Sequence, residues 1–247
     1  MHSRRLPVED HPDLPDVIND LDWDYTPGKD DHVADNPIFR AKLESRITST
    51  ELRVLHAPRP GKKLLVLDLD YTLFDHKSKA NHMHELKRPY VDEFLAASYE
   101  NYDIVVWSQT SWRWLEAKLT ELGFLTSPNY HISFVVDKSA MFTVESNVKG
   151  NKRQHEVKAL ELIWRKFPQW SAANTVHVDD LARNFAMNPK SGLKIKAYRN
   201  AAFAKNSDRE LLFLTQYLRL IASVDDFDEL DFGEWHEFLK ENAHRLS

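Results

Sequence analysis

Four short apolar runs punctuate the chain: Leu64 to Leu67, Ile104 to Trp107, Thr175 to Val178, and the run LKIKAY beginning at Leu193. Each is too short for a buried helix and rich in branched residues, so each predicts a buried strand. Between them the apolar spacing changes to three and four, which predicts helices. These are PYVDEFLAASY after Arg88, Trp112 to Leu122 closed by Gly123, and a segment carrying Leu160, Leu162, Ile163, Trp164 and Phe167. RELLFLTQYLRLIA and GEWHEFLKENA continue the pattern toward the C-terminus. Buried strands alternating with helices predict an α/β fold, a mostly parallel central sheet with helices on both faces.

Two stretches depart from this rhythm. Asn36-Pro37 is a cap followed by proline, and it predicts a helix with the stripe Ile38, Phe39, Leu43 and Ile47, followed by a short strand from Leu52 to Leu55. From about 125 to 154 the runs HISFVV and AMFTVE and the polar loop SNVKGNKRQ predict a small β-rich insertion.

Residues 1–36 form a separate unit in composition. From Glu9 to Asp35 acids crowd around the single Lys29, with prolines between them. Such a segment buries too little apolar surface to offset its ordering entropy, so a flexible acidic arm is expected. The rival is a docking peptide anchored by Leu21, Trp23 and Tyr25. Residues 37–247 are the expected folded domain.

Composition narrows the partners. A net charge of -5 argues against a general nucleic-acid binder, whose affinity would come from basic patches. The chain has no cysteine, which removes disulfides, thiolate catalysis and cysteine-held zinc. Neither a membrane-spanning run nor a signal peptide's apolar stretch is visible, so an intracellular chain that avoids membranes is expected; a monomer is expected as well.

The chemistry lies at the ends of the buried runs, where open α/β sheets bind ligands. The first run ends in Asp68, Asp70 and Thr72; the second in Ser108, Gln109 and Thr110; the third in Asp179 and Asp180. Lys158 opens the helix between the second and third. Two unit charges about 4 Å apart repel by about 4 kcal/mol at an effective dielectric near 20, so these acids require a counter-charge. A divalent cation held by oxygen ligands supplies one, and Mg²⁺ with Asp68, Asp70, Asp179 and Asp180 is the expected set.

Such a site suits phosphoryl transfer. Asp68 is the expected nucleophile, and Asp70 the acid and base, its pKa raised by its neighbour. Lys158, Ser108, Thr72 and Gln109 would hold the phosphate. His82 and His84 are expected to be solvated, His177 to be a core histidine, and Arg183 and Asn184 to support the acid pair.

DLDYT matches the DxDxT/V signature of the haloacid-dehalogenase-like superfamily, and KRPYVDEFLAASYENYDIVVWS resembles the segment typical of its FCP/SCP-type protein phosphatases. With VDDLARNFAMNP and GLKIKAY, the pattern is most similar to the catalytic domain of ubiquitin-like-domain-containing CTD phosphatases. The resemblance implies a Mg²⁺-dependent phosphoserine/phosphothreonine phosphatase of the nucleus. RNA polymerase II CTD peptides would be substrates, and the proteasome regulatory particle a partner and target. It assigns Asp68 as nucleophile, Asp70 as acid/base, Ser108 as phosphate contact, Lys158 as the third-motif lysine and Asp179 as metal ligand. The chain departs from the pattern in three places. The residues before Asp68 here lack the length and strand pattern of a ubiquitin-like segment, alanine follows Lys158 where proline is expected, and Gln109 stands where a small residue is usual.

Only roughly a dozen residues separate Asp75 from Arg88, so no large cap domain is expected there. An open crevice would admit a peptide, flanked by Lys138, Lys149, Lys152 and Arg153. The rival readings are a small-molecule phosphatase and a non-enzymatic phosphopeptide- or metal-binding module.

Overall fold

The computed structural model describes residues 33–148 and 151–246. Leu21, Trp23, Tyr25 and Lys149 lie outside the described residues. Val33, still within the acidic segment, is buried in the core, and the Asn36 side chain caps helix α1 (Pro37–Ser49) by accepting from the Ile38 N–H at 2.9 Å.

Five parallel strands form the central sheet: β1 (Lys63–Leu67), β2 (Tyr102–Trp107), β3 (Ile132–Val136), β6 (Thr175–Asp179) and β7 (Gly192–Lys194). Their order is β3-β2-β1-β6-β7. The chain steps outward from β1 through β2 to β3, then crosses back to place β6 on the other side of β1. The carboxyl end of β1 is therefore where strand order reverses, the place where open sheets make a crevice.

Alternate residues of β1 feed two cores. Leu65 and Leu67 join α2 (Val91–Tyr99), α3 (Trp112–Glu121), α6 (Glu210–Ile221) and α7 (Trp235–Asn242) on one face. Leu64 and Val66 meet α1, α4 (Glu161–Lys166) and a hairpin on the other. The hairpin pairs β4 (Phe142–Val148) with β5 (Asn151–Val157), antiparallel. Phe142, Val144 and Val157 bury its inner side.

Several local expectations change. HISFVV is an edge strand of the main sheet, leaving the hairpin as the part that stands apart. SNVKGNKRQ is mostly paired strand, because backbone pairing in a hairpin tolerates polar side chains. Leu52 to Leu55 makes only an isolated bridge, Val54 to Phe134. LKIKAY contributes only its start to β7. Phe39 and Leu43 are buried as the stripe of α1 predicts, whereas Ile38 is exposed. Residues 76–88 carry one short 3₁₀ turn, Met83–Leu86, and no domain. Among the described residues, no helix is long and apolar enough to cross a membrane.

Candidate active site

The crevice brings together residues from β1, β2, β6 and the segment after β5. Lys158 is completely buried, and its ammonium donates to Asp68 Oδ1 at 2.5 Å and to Asp179 Oδ2 at 2.6 Å. It lies ahead of α4 rather than inside a helix, where its N–H donates to the Asn184 carbonyl at 3.1 Å. Asp179 is held further by the Leu181 N–H on Oδ1 at 2.9 Å and by the Asn184 amide on Oδ2 at 2.8 Å. Burial alone would raise its carboxyl, but Lys158 and then His177 hold it well below the usual range.

Asp68, Asp179 and Asp180 form a buried triad, each offering an oxygen within 4.8 Å of the others. Three carboxylates face one lysine, so the cluster is short of positive charge when fully ionised. Burial pushes the Asp68 carboxyl well above its usual range against the pull of Lys158, and Asp179, Asp180 and Asp70 add to the rise. Asp180 is pushed up to about 7, by burial first and by Asp179 second. One oxygen of Asp180, Oδ2, is buried with no hydrogen-bond partner. An orphaned carboxylate oxygen in an all-oxygen donor set fits a hard divalent cation.

Asp70 is oriented differently. Its carboxylate is outside that triad, accepting instead from Lys118 on Oδ1 at 2.6 Å and from Ser108 and Thr110 on Oδ2 at 3.2 and 3.1 Å. His76 approaches Oδ1 to 3.7 Å. Burial would raise this carboxyl, but Lys118 and then His76 hold it below the usual range. The expected upward shift from a neighbouring carboxylate is thus reversed, because a cation in contact outweighs an anion farther away. The chain leaves β1 through a tight turn in which Tyr71 has φ 64, and this turn carries Asp70 past the triad.

Ser108 is fully buried at the end of β2. Gln109 reaches across the crevice to Asn184 Oδ1 at 3.2 Å, linking the loops after β2 and β6. Thr72 is buried with its hydroxyl unpartnered, and its carbonyl accepts from Arg88 at 3.2 Å. Of the basic residues expected at the crevice flank, Lys152 sits on the exposed hairpin paired with Glu145 at 2.8 Å. The backbone N–H of Lys138 donates to the Thr110 carbonyl at 3.2 Å, tying its turn to the loop after β2.

Lys118 and His76 were not among the expected site residues. The signal for Lys118 was present: a lysine three residues after Leu115, close to the buried stripe of α3.

The model of the NLI interacting factor-like phosphatase family matches residues 63–228, which include every residue of this crevice. The chain belongs to that family. It is therefore an enzyme, a phosphoprotein phosphatase by family. It is 46% identical over 244 residues to ubiquitin-like domain-containing CTD phosphatase 1 of Gallus gallus, covering 97% of this chain and 75% of that one. The Homo sapiens protein of that name gives the same identity and coverage. The Drosophila melanogaster protein is 43% identical over 239 residues, covering 96% and 74%. Among solved structures, a fission yeast RNA polymerase II CTD phosphatase, Fcp1-R271A bound to beryllium fluoride, aligns with TM-score 0.44 and 13% identity over 83% of this chain and 68% of that one, a likeness too remote to add to the family match.

Proposed function

We propose that this phosphatase removes phosphate from phosphoserine and phosphothreonine in proteins, with Mg²⁺ and an aspartyl phosphate on Asp68. The carrying observation is the charge-deficient triad of Asp68, Asp179 and Asp180 around Lys158. A divalent cation held by those three acids would neutralise charge on the phosphoryl oxygens and on the cluster itself.

The chain's own residues account for the rest. An Asp68 oxygen forms a bond to phosphorus as the bond to the serine or threonine oxygen breaks. The departing oxygen takes a proton from Asp70, which Lys118 and His76 hold ionised in the free site and which the negative charge of the incoming phosphate would favour in its protonated form. Water then attacks phosphorus, its proton passes to Asp70, and the Asp68–phosphorus bond breaks. The proton Asp70 gives to the leaving alcohol is thus replaced by one taken from water, which returns Asp70 to its starting state. Lys158 steadies the Asp68 carboxylate, while Ser108 and Thr110 lie beside Asp70, within reach of an incoming phosphoryl oxygen.

The absence of a domain in 76–88 supports a peptide over a small metabolite, because little of the chain can close over the crevice. We take nuclear phosphoproteins of the RNA polymerase II CTD type as the substrate class, with the proteasome regulatory particle as a further target. The test is Mg²⁺-dependent phosphate release from phosphoserine peptides compared with sugar phosphates. The peptides should be preferred, and Asp68→Asn should abolish turnover while melting like the parent. An unchanged rate in that variant removes Asp68 as nucleophile, and preference for sugar phosphates removes the protein substrate.

A further inference from the structure

A carboxylate that both gives and takes a proton works from a narrow range of orientations, because its reactive oxygen must face the leaving group and later the water. A carboxylate on a turn at the mouth of a crevice would ordinarily rotate about its last bond. The Asp70 carboxylate is instead fixed on both oxygens. Lys118 Nζ donates to Oδ1 at 2.6 Å, and the hydroxyls of Ser108 and Thr110 donate to Oδ2 at 3.2 and 3.1 Å. Lys118 also donates to Thr110 Oγ1 at 3.1 Å, and Ser108 Oγ lies 3.0 Å from the same atom. Lysine, two hydroxyls and carboxylate therefore form one closed ring of polar contacts.

The lysine itself is held. Leu115 and Leu119 bury the inner side of α3 against the sheet, and the Lys118 ammonium lies 5.6 Å from the centroid of the Phe74 ring. Its side chain is 18% exposed, so it is largely withdrawn from the solvent that a helix lysine normally seeks. Lys158 is committed to Asp68 and Asp179, leaving Lys118 as the lysine that contacts the proton-handling carboxylate.

Resting on the reading above, we propose that Lys118 is a positioning residue for protonation of the leaving group: it fixes the Asp70 carboxylate so that the leaving oxygen meets a preset donor. A rival role is purely mechanical, stapling α3 to the turn after β1. The two differ in their dependence on the leaving group. Nitrophenolate departs from phosphorus with little help from a proton, whereas the alkoxide of serine needs one.

The experiment compares the wild type, Lys118→Met and Lys118→Arg on p-nitrophenyl phosphate and on a phosphoserine peptide, both with Mg²⁺, alongside thermal melts. Lys118→Met should lose kcat on the peptide at least about 10-fold more than on the aryl phosphate, with KM little changed. Lys118→Arg, which keeps a cationic donor, should recover part of the difference. Equal losses on both substrates, or no loss on either, overturn the positioning role while leaving the phosphatase reading intact. If Lys118→Met does not fold, the same ratio is read from Lys118→Arg, where any selective loss on the peptide supports the role and equal rates overturn it. A wild type that turns over neither substrate overturns the phosphatase reading, and this inference with it.

Discussion

Arg88 and Asp208, 120 residues apart in sequence, meet in a two-pronged ion pair, with Nε to Oδ1 at 3.0 Å and NH2 to Oδ2 at 2.9 Å. The guanidinium is fully buried and also donates to the Thr72 carbonyl, so one side chain joins the approach to α6 with the loop that follows Asp70. Removing one partner strands a buried charge. Asp208→Ala should therefore cost about 3–5 kcal/mol in denaturant unfolding. Its residual activity should also fall, because the Thr72 loop loses its anchor.

Lys158→Met removes the positive charge between Asp68 and Asp179. Turnover should drop by at least about 100-fold. Metal-free protein should melt at a lower temperature than wild type, since two paired carboxylates lose their partner. The rise in melting temperature on adding Mg²⁺ should be larger than in wild type, because the cation then becomes the triad's main counter-charge. A melt series with and without Mg²⁺ checks both.

Asp180 gives the metal-free protein a definite pH dependence. Its carboxyl moves from 3.8 to about 7 on folding. Below the lower value both states hold the proton and stability is unaffected. Between the two values only the folded state holds it. Above the higher value both have lost it and the full penalty is present. Metal-free protein should therefore lose stability, on the order of a few kcal/mol, as pH rises from about 4 to 7. Asp180→Asn should flatten that slope and weaken the stabilisation by Mg²⁺. Denaturant unfolding at several pH values, with and without EDTA, reads both effects.

Gly192 opens β7 where a Cβ would run into the Phe185 ring. Phe185 is buried edge-on to His177 and neighbours Asn184, which holds Asp179. Gly192→Ala should push that segment aside, costing about 1–3 kcal/mol and lowering kcat through Asp179. The backbone angle is ordinary here, with φ -90, so the effect is one of space alone. A melt and a Mg²⁺ titration of the variant would measure it.

Much of the crevice was legible in the chain because carboxylates stand at the ends of β1 and β6 and a hydroxyl at the end of β2, and parallel strands bring those ends to one edge. Asp68, Ser108 and Asp179 follow from that rule, whereas the acids' need for a counter-charge points to a divalent cation and does not by itself single out Lys158. The role of Asp70 was harder to read. Its two-residue spacing from Asp68 suggests that the acids share a site, whereas the turn at Tyr71 gives each its own lysine. Likewise HISFVV has the same apolar content whether it pairs with β2 or stands in an insertion.

The sequence by itself determined the strand ends, the helix stripes and the excess of acid at the crevice, because each is a local pattern of residue types. The tertiary structure decided which lysine meets which aspartate, which run joins the sheet, and which carboxyl is held ionised. Those outcomes depend on distances of a few ångströms between residues 21 to 90 positions apart, and electrostatic contact falls too steeply with distance for local pattern to specify it.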